Sequence, residues 1–197
     1  MDVYIKNIGG VWFGVVCQKK YILATNFGSN EKDILDSLRK MVQAKTPMQP
    51  SPEPSAFADN IFSIMKCIYD GKGTEENIPF SMEQLPVYRQ RVLRTVARIP
   101  VGYVSSYGGV ADAIGGGARA VGNAMANNPF APLVPCHRVV TSNMGLGGYG
   151  GNLRVKFDFL KREKRGFDEP KGIVVDSGIL KVFPVEFVLD RLEKSIA

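Results

Sequence analysis

A cysteine and a histidine are adjacent in the segment LVPCHRVV, residues 133–140, and His137 is the only histidine of the 197-residue chain. The apolar runs on both sides predict a buried strand, in which reactive side chains are unusual. A thiol is nucleophilic only as its thiolate, and a free cysteine with a pKa of about 8.5 is mostly protonated at neutral pH. A nearby imidazole lowers the cost of ionisation. The pair therefore predicts a cysteine nucleophile, Cys136, with a histidine base, in direct contact or through a bridging water.

An acid that orients the imidazole would complete such a relay. Within residues 85–167 the candidates are Asp112, Asp158 and Glu163. Glu163 ends the helical run RVKFDFLKRE, which could pack against the Cys/His segment. The spacing alone does not choose among the three carboxylates.

Two other interpretations of the cysteines are open. Cys136 could be a buried structural cysteine, or it could join Cys17, Cys67 and His137 in a zinc site with three cysteines and one histidine. Adjacent ligands strain a tetrahedral site and the usual C-x₂₋₄-C spacing is missing, so no metal is expected. Cys17 and Cys67 lie in the apolar segments GVVCQ and IMKCI, which favours two small buried hydrophobes over a disulfide between them.

The positive charge is concentrated in the middle of the chain. Residues 1–84 hold 9 Lys+Arg and 10 Asp+Glu, residues 85–167 hold 12 and 3, and residues 168–197 hold 4 and 6, giving net charges of −1, +9 and −2. A basic central block favours a polyanionic partner, most simply nucleic acid, over a solvated basic surface. No stretch approaches the roughly 20 apolar residues of a membrane span, and the N-terminus lacks a secretory signal. We expect a cytoplasmic protein, or a nuclear one in a eukaryote, without membrane contact.

The pattern of residues 1–80 predicts a small α/β domain with an antiparallel sheet. Residues 1–27 form β-branched and aromatic runs broken at Gly9-Gly10 and Lys19-Lys20, which indicates a meander of hairpins. A helical period follows Asn30, with Ile34 and Leu38 on its apolar face. Residues 46–55 contain four prolines and must form a loop, and a second helix is expected near residues 56–69.

Residues 85–167 predict a mostly helical second domain. A basic helix is expected over residues 87–99, followed by a short helix capped by Ser105 or Ser106, a turn at residues 115–117, and a helix over residues 118–126. Two short helices joined by a glycine turn indicate a helix-turn-helix, here winged-helix-like, within an α+β protein. The second helix is lined by small residues that would allow close approach to a nucleic-acid groove, with Arg119 as its only long cation. Tight helix packing would explain the same small residues.

Residues 168–197 predict an extension of a hairpin, with its turn at residues 176–178, and a helix. The acidic balance of this extension makes a DNA contact unexpected. We expect it to pack on the protein.

Four motifs together resemble a known family. PCHRVV, preceded by SYGGVA and ARAVGNAMANNP and followed by GYGGNLRVKFDFLKRE, is similar to the C-terminal domain of the O6-alkylguanine-DNA alkyltransferases. The resemblance covers about residues 85–165, with the motifs in the family's order. It implies a self-inactivating methyltransferase for DNA repair, in which a thiolate takes the alkyl group from O6 of a flipped guanine in double-stranded DNA. A monomer without a cofactor is expected.

The resemblance also implies roles for individual residues. Cys136 would be the acceptor, His137 and Glu163 the water-mediated relay, Tyr107 the donor to guanine N3, and Asn128 the residue holding the turn before the active-site strand. The DNA-binding residues would be Ala118, Arg119, Ala120, Gly122 and Arg138, with Arg119 filling the space of the extruded nucleotide. The base would be bordered by Met125, the Val139 backbone, Tyr149 and Gly150.

The sequence departs from the family pattern at three places. Gly150 stands where many relatives carry a serine, Ala131 replaces a proline of the pocket wall, and the N-terminal part has no histidine for the zinc site of some relatives. Two other functions are weighed against alkyl transfer. A DNA-binding lesion sensor of the same fold would not need Cys136, and a Cys-His hydrolase of small substrates would leave the basic block unexplained.

Overall fold

The computed structural model describes the chain except for residues 44–47, 75, 151, 177 and 195–197. The chain folds into two compact units and has α+β architecture, as expected. Unit 1 consists of Met1–Tyr69, Gly73–Gln84 and Pro129–Leu133, and unit 2 of Asp70–Lys72, Leu85–Asn128 and Val134–Ala197. In the described part of the chain, no helix is long and apolar enough to cross a membrane.

Unit 1 contains the predicted antiparallel meander. Its strands are β1 (Asp2–Ile8), β2 (Val11–Gln18) and β3 (Tyr21–Gly28), and β2 lies between the other two. Gly9 and Gly10 form the first turn, with φ angles of 62° and 81°. Glycine suits these positions because a residue with a side chain would be strained at such angles. The segment Pro129–Leu133 also belongs to this unit, since the Thr25 amide donates to the Pro129 carbonyl at 2.8 Å.

Two helices complete the described secondary structure of unit 1, namely α1 (Glu31–Met41) and α2 (Ala56–Tyr69). The Asn30 side chain caps α1 by accepting from the Asp33 amide at 3.2 Å. Ile34 and Leu38 are buried against the sheet, and Gly14 of β2 makes this close packing possible because a Cβ there would lie 2.5 Å from Ile34 Cγ2. Of the proline-rich loop, residues 48–55 have no regular structure, and residues 46 and 47 lie outside the described residues.

Unit 2 contains five α-helices in its described part, α3 (Val87–Ala97), α4 (Tyr107–Ile114), α5 (Ala118–Ala126), α6 (Leu153–Arg162) and α7 (Glu186–Lys194). Ser106 caps α4, because its hydroxyl accepts from the Gly109 amide at 2.9 Å. Helices α4 and α5 are the expected helix-turn-helix pair, joined by residues 115–117. Gly116 in this turn has φ 102°, and a Cβ there would lie 2.6 Å from Tyr88 Oη.

Unit 2 also contains a four-stranded sheet, so the expectation of a mostly helical domain was incomplete. Its strands are β4 (Tyr103–Ser106), β5 (Val139–Val140), β6 (Lys171–Val175) and β7 (Gly178–Pro184), in the order β5-β4-β7-β6. β4 runs parallel to β5 and antiparallel to β7, and β6 and β7 form the predicted hairpin. Ser177, in the predicted turn, lies outside the described residues.

The C-terminal extension, residues 168–197, belongs to unit 2. β7 is hydrogen-bonded to β4 near the centre of the sheet. Val185, Val188 and Leu189 are buried in the same cluster as Val104 and Leu160. The extension therefore supplies part of the core of unit 2.

Candidate active site

Cys136 begins a single turn of 3₁₀-helix, Cys136–Arg138, which leads into β5. This corrects the expectation of a strand through the whole segment. Pro135 cannot donate a ladder hydrogen bond, and the Arg138 amide instead donates to the Pro135 carbonyl at 2.9 Å. The turn buries both reactive side chains, since Cys136 is 9% and His137 0% exposed.

His137 pairs with Glu163 in the interior of unit 2. His137 Nε2 lies 2.8 Å from Glu163 Oε1, and the ionised carboxylate can only accept, so Nε2 carries the proton. His137 Nδ1 is buried and has no hydrogen-bond partner among the described residues. Burial lowers the pKa of His137 in spite of Glu163, which keeps the imidazole neutral. The geometry therefore leaves Nδ1 with a free lone pair that can take a proton.

Arg138 also pairs with Glu163. Burial alone would raise the pKa of Glu163, but His137 and Arg138 hold it at about 2. Arg138 Nε and Nη2 donate to the carboxylate at 2.9 and 2.8 Å, and Nη1 donates to the Ile99 carbonyl at 2.6 Å. The assignment of Arg138 to the DNA-binding surface is therefore wrong. Its side chain is buried and its guanidinium nitrogens are all engaged within unit 2.

The Cys136 thiol is surrounded by groups that favour its ionised form. Burial raises the pKa of Cys136, whereas hydrogen bonds from Asn128 and Tyr149 and the charge of Lys156 act in the opposite direction. Asn128 also donates from Nδ2 to the Val134 carbonyl at 2.9 Å, which ties the two ends of residues 128–134 together. The resting thiol is protonated, and removal of its proton produces a thiolate already supplied with donors.

Tyr107 and Tyr149 both interact with the Cys136 side chain. Burial raises the pKa of Tyr107 and, more strongly, that of Tyr149, and a nearby Cys136 thiolate adds to both effects. The Tyr107 hydroxyl donates to the Gly148 carbonyl at 3.2 Å. Both phenols are therefore neutral donors.

The other expected pocket residues differ in burial. Met125 and Val139 are buried, while Gly150 is exposed and has open space where a Cβ would point. The substitution at Ala131 falls in unit 1, where its carbonyl accepts from the Thr25 hydroxyl at 2.9 Å.

Lys156 lies beside the thiol but was not predicted from the sequence as a site residue. It is 0% exposed, and its Nζ donates to the Val139 carbonyl at 2.6 Å and to the Gly148 carbonyl at 3.2 Å. Its charge interacts with the Cys136 thiol. The missed signal is its spacing, because Lys156 lies three, four and seven residues before Phe159, Leu160 and Glu163, on the buried face of α6.

The second helix of the pair, α5, presents its first residues to solvent. Ala118, Arg119 and Ala120 are exposed and Gly122 is half-buried, while Val121, Ala124 and Met125 face inward. The exposed residues of the first turn are thus small except for one long cation, Arg119.

The remaining cysteines belong to unit 1 and are free thiols. Cys17 is buried, as expected, but Cys67 is exposed on α2, so the expectation of a buried hydrophobe is wrong there. Helical phase explains the difference, because Ile64, Met65 and Ile68 occupy the buried face of α2. Among the described residues, no group of three or more His, Cys, Asp or Glu side chains could hold a metal ion.

Unit 2 therefore combines a helix-turn-helix with a buried thiol and a histidine held by a carboxylate, which defines a nucleic-acid-binding protein with a cysteine nucleophile. Residues 87–165 match the model of the "6-O-methylguanine DNA methyltransferase, DNA binding domain" family. A methylated-DNA--protein-cysteine methyltransferase of Mycobacterium bovis is 37% identical over 135 residues, which cover 66% of this chain and 81% of the relative. The chain belongs to the 6-O-methylguanine-DNA methyltransferase family.

Further relatives agree in sequence and in fold. A protein of the same name from Saccharolobus islandicus is 35% identical over 113 residues, or 57% of this chain and 73% of the relative. The crystal structure of Mycobacterium tuberculosis OGT in complex with DNA matches with a TM-score of 0.65 and 28% identity, over 83% of this chain and 93% of that one. An O6-methylguanine DNA methyltransferase from Methanococcus jannaschii matches with a TM-score of 0.63 and 26% identity, over 87% and 99%.

Proposed function

We propose that the protein repairs DNA by transferring the alkyl group of O6-alkylguanine irreversibly to Cys136. The observation that carries this proposal is the buried Cys136, whose thiol lies next in sequence to a neutral imidazole held by an ionised carboxylate. Membership of the family supports it. The reaction needs a nucleophile and a base, and it uses each molecule once.

The chemical step follows from the protonation states of the site. His137 Nδ1 takes the thiol proton, directly or through water, and the imidazolium is stabilised by Glu163 at the other nitrogen. The thiolate attacks the alkyl carbon, so that the S–C bond forms as the C–O6 bond breaks with its electron pair going to the base. The guanine leaves after taking up the proton that the thiol gave. A thioether has no easy route to hydrolysis, and the protein is therefore consumed.

The target base must leave the duplex before Cys136 can reach it. Unstacking a base costs on the order of a few kcal/mol, and the least stable lesions are extruded most easily. We assign to Arg119 the space that the extruded nucleotide leaves, because it is the long exposed side chain at the start of α5. The flipped base would lie against Met125, the Val139 backbone, Tyr149 and Gly150.

Tyr107 would help the base to leave. Its phenol is a neutral donor and can hydrogen-bond to guanine N3, which gains negative charge as the C–O6 bond breaks. With Gly150 at the position next to Tyr149, backbone amides rather than a hydroxyl would contact O6. The contacts of α5 would be made by Ala118, Arg119, Ala120 and Gly122.

Double-stranded DNA is the proposed partner, bound by a monomer. We also propose a cytoplasmic location, because the reaction needs Cys136 reduced and a reducing compartment keeps thiols in that form.

The direct test is intact-mass measurement after mixing the protein with a duplex containing O6-methylguanine. We expect one methyl group per molecule, located on the peptide that contains Cys136. A duplex with unmodified guanine is the control for the substrate, and Cys136→Ser, which should still bind DNA, is the control for the acceptor. Repeated turnover by substoichiometric protein would contradict the proposal.

A further inference from the structure

Lys156 is a fully buried cation that forms no ion pair with any residue in the described part of the chain. Lysine is rarely buried completely unless it is paired, because removing its charge from water is costly. The two groups that accept from its Nζ are carbonyls, those of Val139 and Gly148. The ion pairs found among the described residues do not include Lys156. A buried cation of this kind indicates a function that appears when a negative charge forms nearby.

The groups that face Lys156 identify that charge. Its Nζ lies 5.8 Å from the ring centroid of Tyr107 and 6.0 Å from that of Tyr149. Its charge also acts on Cys136 and His137. Both phenols are neutral and the imidazole is neutral or positive, so Cys136 is the group facing Lys156 that becomes an anion during the reaction.

We propose that Lys156 is a positioning residue whose ammonium group is the counter-ion of the Cys136 thiolate, held there by the carbonyls of Val139 and Gly148. This inference rests on the proposed function. Lys156 keeps its protons throughout, and the thiol proton goes to His137. Both side chains are buried, and in the interior of a protein one unit charge stabilises another of opposite sign more strongly than it does in water.

The same ammonium group also holds the backbone at Gly148. The Gly148 carbonyl accepts from Tyr107 Oη and from Lys156 Nζ, both at 3.2 Å. A carbonyl oxygen has two lone pairs, so it can keep one bond when the other is released. When the Tyr107 hydroxyl turns to a bound base, Lys156 keeps Gly148, and with it Tyr149, beside the thiol.

The charge of Lys156 is consistent with this role. Burial lowers its pKa to about 8, and a thiolate at Cys136 raises it. Formation of the thiolate therefore keeps the ammonium group protonated, and the ammonium group in turn lowers the pKa of the thiol. Both pKa changes arise from the same electrostatic attraction between Lys156 and Cys136.

The test is the pH dependence of the rate at which Cys136 reacts with free O6-benzylguanine, which needs no DNA binding or base flipping. Lys156→Met removes charge and donors, Lys156→Gln keeps one donor without charge, and Lys156→Arg keeps both. We expect the profiles of the Met and Gln variants to move to higher pH by about one unit, with a roughly tenfold loss of rate at pH 7 that disappears in alkali. Lys156→Arg should keep the profile of the parent. Lys161→Met, an exposed lysine of the same helix, is the matched control.

A purely structural role of Lys156 would lower the rate by the same factor at every pH, or would make Gln behave like Arg, and either result overturns the inference. If Lys156→Met does not fold in thermal melts, the Gln and Arg profiles decide the question. If the parent does not alkylate Cys136 at all, the proposed function fails, and ultraviolet titration of the Cys136 thiolate in a Cys17→Ala, Cys67→Ser background replaces the rate. An unshifted titration in Lys156→Gln would then refute the inference by itself.

Discussion

At the scale of single residues, one carboxylate organises the site. Glu163 accepts from His137 and Arg138, both buried, and so keeps a negative charge in the interior. The contact with Glu163 fixes the tautomer of His137. An ionised carboxylate can only accept a hydrogen bond, so the proton of the imidazole lies on Nε2. Nδ1 is left free as the acceptor that the proposed reaction needs.

The ionisation of Glu163 makes stability depend on pH. The pKa of Glu163 is about 2 in the folded protein, below its ordinary value of 4.5. Because the folded value is the lower one, the stabilisation is complete above about pH 4.5 and disappears as the pH falls toward 2. We expect Glu163→Gln to lower the free energy of unfolding at pH 7 by about 3 kcal/mol.

The measurement is denaturant unfolding of the parent and Glu163→Gln between pH 7 and pH 2. The difference between them should shrink as the pH falls, since protonation of Glu163 in the parent removes the same charge. Glu169→Gln, which changes an exposed carboxylate, should show the same pH dependence of the unfolding free energy as the parent. A constant difference over the whole range would show that Glu163 stabilises the fold by packing alone.

At the scale of elements, helix α5 and the turn before it contain two glycines with different roles. Gly116 has φ 102° and a Cβ there would meet the Tyr88 ring, whereas a Cβ at Gly122 would meet nothing within 4 Å. Gly116 is therefore required by the fold. Gly122 lies inside a helix, where glycine is unfavourable, and it needs another explanation.

We predict that Gly122→Ala stabilises the protein by about 0.5–1 kcal/mol and weakens its binding to duplex DNA. The gain comes from backbone entropy, and the loss follows if the helix approaches a groove as closely as its small residues allow. The reaction with free O6-benzylguanine should not change. Thermal melting and DNA titration at fixed salt measure the two effects.

Gly116→Ala is the comparison variant for this prediction, and it should cost about 1–3 kcal/mol because of the strained backbone. If Gly122→Ala is more stable but binds DNA as well as the parent does, the small residues of α5 serve packing and not groove approach.

At the scale of the whole chain, the C-terminal extension is part of unit 2. β7 pairs with β4, and the Ser105 hydroxyl donates to the Lys181 carbonyl at 2.8 Å. Phe167, immediately before the extension, stacks on Tyr103 with ring centroids 5.0 Å apart. The strand that precedes the helix-turn-helix is thus held by residues from the end of the chain.

Truncation after Gly166 should therefore lower the melting temperature by roughly 10 °C or more, because several buried apolar side chains are lost at about 1.5–3 kcal/mol each. Two single substitutions on β7 test the contribution of the extension to stability without removing it. Leu180→Ala, at a buried position, should destabilise the protein, and Ile179→Thr, at a 70% exposed one, should not. An unchanged melting temperature with weaker DNA binding in the truncated protein would show that the extension serves the partner and not the core.

Local sequence was sufficient for most elements of the fold. The expected helices over residues 56–69 and 118–126 agree with α2 and α5, and the meander, the Ser106 cap and the hairpin of the extension are present. Periodicity, caps and turn glycines act between residues close in the chain, so the sequence contains them directly. The prediction of a strand at Cys136 was wrong because Pro135 favours a turn there.

Residue order and composition alone show that Cys136 and His137 are neighbours and that the basic charge lies in residues 85–167, and they predict a helix of small residues that carries Arg119. Residue spacing left Asp112, Asp158 and Glu163 open, and the family resemblance implied Glu163. The packed structure was needed to show that Glu163 contacts His137 and that the side chains of Arg138 and Lys156 point inward. The physical reason is that these contacts join residues up to 39 positions apart, as Arg138 and the Ile99 carbonyl are. Their free energy depends on burial, and burial is fixed only when the helices and the sheet of unit 2 have packed.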